Sequence, residues 1–140
     1  MGSRRQSRVF ALQTLYLMDT CTLSFDDAFG IIWYKHHEVE KIRSFAHELA
    51  EGASQNLEYL DSLIVQYAEN WELKRMASID RNILRLSAYE LVYCANTPVS
   101  VVIDEAVEMA KEYSTPDSGK FVNGILDKIK TNRKVQGTHE

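Results

Sequence analysis

KFVNGILDK, residues 120–128, is the stretch of this sequence that decides the fold. Its apolar residues, continued by Ile129, recur near helical spacing with lysine and aspartate between them, which predicts an amphipathic helix. Gly124 lies in the middle of that helix, where glycine costs about 1 kcal/mol relative to alanine. We expect that the missing side chain lets another helix approach closely. The stretch therefore predicts a packed helical domain.

The rest of the chain also has the apolar period of helices. Ser24 and Asp27 resemble a capping box that opens the second helix, and Ser78 is predicted to cap the N-terminus of a later one. Gly52 is expected to bend or split a long third helix. The predicted helices cover residues 4–19, 24–34, 38–70, 79–95, 100–113 and 120–131. Joined by short turns without any hairpin signal, they predict an all-α fold of about seven helices.

Length and composition indicate one domain, residues 1–140. The connector that begins at Trp71 is expected to separate two sub-bundles, approximately 1–71 and 72–135. No apolar run approaches the roughly 18 residues of a membrane span, and the first residues lack the apolar core of a signal peptide. Cys21 and Cys94 do not form a CxxC pair, which is typical of a reduced compartment. We therefore expect a cytoplasmic protein that does not contact a membrane.

The net charge of −4 hides basic ends and an acidic middle. Residues 24–72 carry ten acidic side chains, whereas residues 120–134 carry five basic side chains and one acidic one. A local basic patch is sufficient for nucleic-acid binding. The overall charge nevertheless argues against a protein that coats DNA without sequence preference.

Residues that would carry catalysis or bind a metal are few in this sequence. The P-loop, GxGxxG and GxSxG motifs are absent. His36 and His37 are adjacent, so they point to different faces of a helix and make a poor metal pair. Cys94 has apolar neighbours and is expected in the core. The sequence predicts neither an enzyme, nor a cofactor, nor a metal site.

The first helix begins with an unusual group of cations. Arg4, Arg5 and Arg8 can share one helical side, and Tyr16 lies two turns beyond Arg8 on roughly the same side. Cations at a helix N-terminus oppose the macrodipole, so local stability does not explain them. Guanidinium groups suit phosphates, and a nearby aromatic ring suits single-stranded RNA. An ordinary charged helix start with a core tyrosine explains the spacing equally well.

Four blocks of the sequence resemble the NusB family of bacterial transcription antitermination factors. The blocks are RRQSR with ALQTLY at 4–16, DRNILRLSAYEL at 80–91, Pro98 followed by VIDEAVEMAK at 102–111, and the stretch 120–128. They stand in the family's order and span nearly the whole chain, which makes the resemblance specific. Gln6 and Ser7 thin the basic cluster, and Gly119 replaces a polar residue that is common in the family.

The resemblance implies an all-α protein of two small helical bundles that is not an enzyme. It implies binding to the single-stranded boxA element of nascent RNA, together with ribosomal protein S-ten, also called NusE. That pair is part of an RNA polymerase antitermination complex that reads through terminators, notably in ribosomal RNA operons. The implied RNA-binding residues are Arg4, Arg5, Arg8, Tyr16, Asp117, Lys120 and Phe121. The expected partner-binding residues are Asp80, Arg81 and Glu105.

Two points stay open at the level of sequence. Phe121 is a core residue by its helical period and a base-stacking residue by resemblance. The alternative function is a NusB-like protein-interaction module, or a homodimer, without independent RNA binding. A NusB-like domain also precedes some RNA cytosine methyltransferases, but this sequence contains no glycine-rich cofactor motif.

Overall fold

The computed structural model of the protein describes residues 2–34 and 40–134. Within them lie α1 (Ser3–Thr20), α2 (Phe25–Tyr34), α3 (Glu40–Gln55), α4 (Leu57–Tyr67), α5 (Ser78–Tyr93), α6 (Val99–Tyr113) and α7 (Ser118–Ile129). Two 3₁₀ turns, Leu73–Arg75 and Lys130–Asn132, follow α4 and α7. The described ranges contain no strand, and none of their helices is long and apolar enough to cross a bilayer. The predicted all-α fold of about seven helices is confirmed, whereas His36 and His37 lie outside the described residues.

Helix α5 forms the centre of the molecule. Every side chain from Asn82 to Ala88 is buried, polar ones included, and the helix packs against α1, α3, α4, α6 and α7. A helix that is buried on all sides must find apolar neighbours in every direction. Each leucine that it buries contributes about 1.5–3 kcal/mol. The main core is therefore continuous through both predicted bundles, and the division near residue 71 stays a prediction.

A smaller aromatic core joins α1, α2 and α3. Phe10, Phe29, Ile42 and Ala46 are buried there. The ring of Trp33 lies edge-on to Phe10 at 5.5 Å between centroids. Offset and edge-on ring pairs add to the free energy of burial, so this cluster fixes α2 against the first helix.

The predicted third helix is two helices, and the break is not at Gly52. Helix α3 ends at Gln55 and α4 begins at Leu57, with Asn56 between them donating from its side-chain amide to the carbonyl of Gly52 at 2.8 Å. Gly52 instead allows close packing, because a Cβ there would lie 2.1 Å from Cζ of Tyr89. The sequence correctly indicated a split but assigned it to the wrong residue.

Gly124 is the opposite case, and the close approach predicted for it is wrong. It lies on the exposed side of α7, and a Cβ there would meet nothing within 4 Å. Val122, Ile125 and Leu126 form the buried side of that helix. The close contact that we expected at Gly124 is made at Gly52.

The two predicted N-terminal caps have different outcomes. Ser24 caps α2 as expected, since its hydroxyl accepts the backbone N–H of Asp27 at 3.1 Å. Ser78 does not cap α5; it is the first helical residue, and the preceding Ala77 offers no side-chain acceptor. Helix α5 is held by its buried side chains, so it forms without that cap.

Candidate nucleic-acid interface

The three N-terminal arginines have three different environments. Arg4 is exposed, and its guanidinium carbon lies 3.8 Å from the ring centroid of Phe45. Arg5 is half-buried and donates from Nε and Nη2 to both carboxylate oxygens of Glu105. Arg8 is 4% exposed and donates to both oxygens of Glu90 at 2.9 and 2.6 Å. Only Arg4 has no acidic partner among the described residues.

The Arg8–Glu90 pair is an internal part of the fold. Burial lowers the pKa of Arg8, but the hydrogen bonds and the charge of Glu90 raise it further, so the guanidinium stays charged. Glu90 is 1% exposed, and a buried carboxylate without a cation is strongly unfavourable. Arg8 therefore holds α1 against α5.

The Arg5–Glu105 pair joins α1 to α6 closer to the surface. Hydrogen bonding from Arg5 holds the pKa of Glu105 below its ordinary value, so this carboxylate is ionised at neutral pH. Glu105 Oε1 also lies 3.6 Å from Nη1 of Arg8. The predicted acidic partner residue is thus already engaged by two cations of the predicted RNA surface.

A groove of about 710 Å³ lies beside Arg4 and extends to the end of the described chain. Its wall contains Tyr89 and Tyr93, stacked at 5.2 Å between centroids, and Lys134, whose Nζ lies 5.5 Å from the Tyr93 ring. Burial raises the pKa of the Cys94 thiol in this groove to about 12, so it remains protonated at neutral pH. The groove therefore offers exposed cations beside aromatic rings.

Sequence reasoning missed the groove because it depends on contacts between distant segments. Phe45 lies on α3 and Lys134 follows the last 3₁₀ turn. The excess of basic residues from 120 to 134 was the one signal that pointed to Lys134.

Tyr16 is not in the same cavity as the arginines. It is half-buried and lines a separate, mostly apolar cavity of about 380 Å³ with Gln13, Ile79 and Tyr113. Gln13 Oε1 is buried there without a hydrogen-bond partner among the described residues. Helical spacing predicted Tyr16 on the same side as Arg8, but the two side chains line different cavities.

The start of α7 carries the remaining residues of the predicted RNA surface. Asp117 and Lys120 are exposed, and Phe121 is half-buried. The ring of Phe121 packs against the main core and lies edge-on to Trp71, with centroids 5.6 Å apart. No hydrogen bond, ion pair or ring contact among residues 2–34 and 40–134 links this group to the arginines.

Asp80 and Arg81, predicted to bind a partner, are engaged within the chain. Asp80 is 8% exposed and accepts the hydroxyl of Ser118 at 2.9 Å, while its Oδ1 has no partner among the described residues. Arg81 donates from Nε to Asp19 at 2.8 Å. Burial raises the pKa of Asp19, but hydrogen bonds from Arg81 and Asn82 outweigh it and leave the pKa below its ordinary value.

The described part of the chain holds no cluster of side chains suited to a metal ion. At the start of α1 the exposed Arg4 lies over the ring of Phe45, and at the start of α7 the exposed Lys120 is next to Phe121 in the chain. Cations bind phosphates, and aromatic faces stack on bases, so both places have the chemistry of single-stranded nucleic-acid binding.

Comparison with known proteins identifies one family. The model of the NusB family matches residues 5–131. The transcription antitermination protein NusB of Elusimicrobium minutum is 45% identical over 139 residues, covering 96% of this chain and 97% of that protein. The protein of the same name from Symbiobacterium thermophilum is 43% identical over 135 residues, covering 91% and 88% of the two chains.

Solved structures give the same result. NusB of T. maritima superposes with a TM-score of 0.85 at 37% identity, covering 93% of this chain and 92% of that one. A crystal structure of antitermination factors NusB and NusE in complex with double-stranded RNA has a TM-score of 0.86 at 27% identity, covering 94% and 98%.

Proposed function

Because the chain belongs to the NusB family, we propose that it binds boxA-type single-stranded RNA in nascent ribosomal transcripts together with ribosomal protein S-ten (NusE), and so promotes read-through by RNA polymerase. The family resemblance expected from the sequence is confirmed, and family membership makes this a transcription antitermination protein and not an enzyme. The RNA element, the read-through and the polymerase complex are the proposed part.

The observation that carries the proposal is the state of Arg4. Its guanidinium is exposed, lies 3.8 Å over the Phe45 ring and has no acidic partner among the described residues. A cation that is oriented by a ring yet not neutralised is available for a phosphate. A solved relative that contains NusB, NusE and RNA supports the same class of ligand.

We assign the predicted RNA-binding residues to different tasks. Arg4 and Lys120 contact phosphates, because both are exposed cations. Phe121 and Tyr16 offer half-exposed rings for bases. The exposed carboxylate of Asp117 accepts hydrogen bonds from base amino groups.

Arg5 and Arg8 act mainly by holding α1 in place. Both are held by carboxylates of other helices, so they fix α1 and, through it, the position of Arg4. Asp80, Arg81 and Glu105 remain the proposed partner region. Their side chains are committed within the chain, so a ribosomal protein would contact the surface that they shape.

A titration of labelled RNA tests the proposal. We expect a boxA-type single strand to bind with strong salt dependence and more tightly when the ribosomal protein is added. A scrambled strand and a double-stranded form of the same sequence are the controls, because one solved relative contains double-stranded RNA. An affinity that the ribosomal protein leaves unchanged would contradict the heterodimer.

The alternative is a protein-interaction module or homodimer that does not bind RNA independently. The outer side of α2 favours it, because Ile31 and Tyr34 are 46% and 82% exposed. Light scattering with and without RNA separates the two. A dimer that persists when RNA is added, with no RNA bound, supports the alternative.

A further inference from the structure

Trp71 is a large apolar side chain held at the surface. It is 51% exposed and lies between α4 and the first 3₁₀ turn. The preceding Asn70 has a φ of 67°, in the left-handed region that asparagine tolerates better than most residues. The backbone N–H of Trp71 donates to the carbonyl of Ala68 at 2.9 Å. The turn therefore presents the indole in a defined position.

The contact with Phe121 orients the indole without covering it. The two ring centroids are 5.6 Å apart, with 65° between the ring planes. An edge-on contact of this kind covers at most one face of the indole. No described residue accepts a hydrogen bond from its indole N–H. The indole is thus about half exposed beside Phe121, and its N–H is without an acceptor among the described residues.

The charges around this aromatic pair favour an anionic ligand. Glu69 is paired with Lys128 at 3.3 Å and Glu72 with Arg75 at 3.5 Å, so each acid near Trp71 in sequence has a cation beside it. Lys74 and Lys120 are exposed and have no acidic partner among the described residues. Against these two cations, Asp117 is the one exposed acid at the start of α7.

We propose that Trp71 is a base-stacking residue, and that Trp71 and Phe121 together receive one unpaired base of the RNA. The inference rests on the proposed RNA-binding function and extends its surface to a residue outside the predicted set. Base–aromatic stacking needs an open ring face and tolerates any base. Lys120, adjacent to Phe121 in the chain, then contacts the neighbouring phosphate.

Tryptophan fluorescence tests this directly, because Trp33 and Trp71 are the only tryptophans in the chain. Trp33→Phe leaves Trp71 as the single reporter. We expect its emission to be quenched as boxA-type RNA binds, in step with the anisotropy of labelled RNA measured in the same samples. Trp71→Phe, which leaves Trp33 in the aromatic core, is the matched control and should give little quenching.

A substitution provides the second readout. Trp71→Ala is expected to lower RNA affinity about tenfold, while Tyr34→Ala, which removes an exposed ring from α2, leaves the affinity unchanged. Circular dichroism of each variant shows whether the helices are retained.

The outcomes separate the inference from the function that it extends. RNA that binds with neither quenching of Trp71 nor an effect of Trp71→Ala overturns the role of Trp71 and leaves the proposed function standing. Quenching by the ribosomal protein alone makes Trp71 a protein contact and overturns the inference. No RNA binding with or without the ribosomal protein overturns both.

Discussion

The arginine-rich start of α1 and the start of α7, with its Lys120, both carry cations, but these cations differ in their availability. At α1, Arg5 and Arg8 are bound by carboxylates of other helices, and nearby Gly52 and Tyr89 pack without spare room. At α7, Lys120 is exposed and Gly124 faces open space. The sequence predicted RNA-binding residues at both starts, with more cations at α1. The comparison teaches that the number of cations does not measure their availability, because a buried partner can take a cation out of the binding surface.

The largest effect is expected for Arg8→Ala, which tests whether the α1 side is structural. The change leaves the 1%-exposed Glu90 without its cation and should destabilise the fold by about 3–5 kcal/mol. Chemical denaturation measures this. Arg8→Met combined with Glu90→Leu is the control and should recover much of the loss. A stable Arg8→Ala protein with reduced RNA affinity would make Arg8 a contact residue and break the comparison.

The next largest effects on stability are expected for two glycine substitutions. Gly52→Ala places a Cβ against the ring of Tyr89 and should cost about 1–3 kcal/mol. Gly124→Ala meets no atom within 4 Å and should stabilise α7 by up to about 1 kcal/mol. Thermal or urea unfolding of both variants measures the difference. Equal effects at the two positions would mean that the two regions are packed alike.

Substitution of the exposed cations tests which of the two regions contacts RNA. Arg4→Ala and Lys120→Ala should each weaken RNA binding several-fold and reduce the salt slope by about 0.7, the value for one phosphate contact on a single strand. Stability should change by less than about 0.5 kcal/mol. Lys41→Ala, on the exposed side of α3, is the matched control and should leave RNA binding unchanged. If both test variants had the salt slope of the wild type, neither Arg4 nor Lys120 would contact a phosphate.

The smallest effect concerns pH and the Arg5–Glu105 pair. Since Arg5 lowers the pKa of Glu105 in the folded state, ionised Glu105 stabilises the fold above its ordinary pKa, and this contribution is lost as the pH falls through the folded-state pKa. The pair is partly exposed, so it contributes less than about 1 kcal/mol. The free energy of unfolding, measured between neutral and acidic pH, should therefore fall less steeply towards acidic pH in Glu105→Gln than in the wild type. Glu108→Gln, on the same helix, controls for the loss of one negative charge.

What the sequence could predict follows from how far each feature reaches along the chain. Helical periods and the Ser24 cap are local, and the structure contains both, although the equally local cap at Ser78 is absent and the third helix is divided. The partner of Arg8 lies 82 residues away, so no spacing rule could identify it. The contact of Tyr89 with Gly52 also joins distant parts of the chain, so spacing could not predict it either. The prediction of a close approach at Gly124 failed for another reason. The helical period that buries Val122 and Ile125 already turns Gly124 outward. The cost of a glycine within a helix was wrongly taken as a sign of close packing.

Amide hydrogen exchange, with and without boxA-type RNA and the ribosomal protein, tests most directly whether the start of α7 binds RNA. The account predicts that RNA slows amide exchange in residues 70–75 and 118–124. The exchange rates of residues 82–92, in the buried middle of α5, should not change. RNA-dependent slowing confined to residues 25–34, or none in 118–124 when RNA is bound, would contradict it.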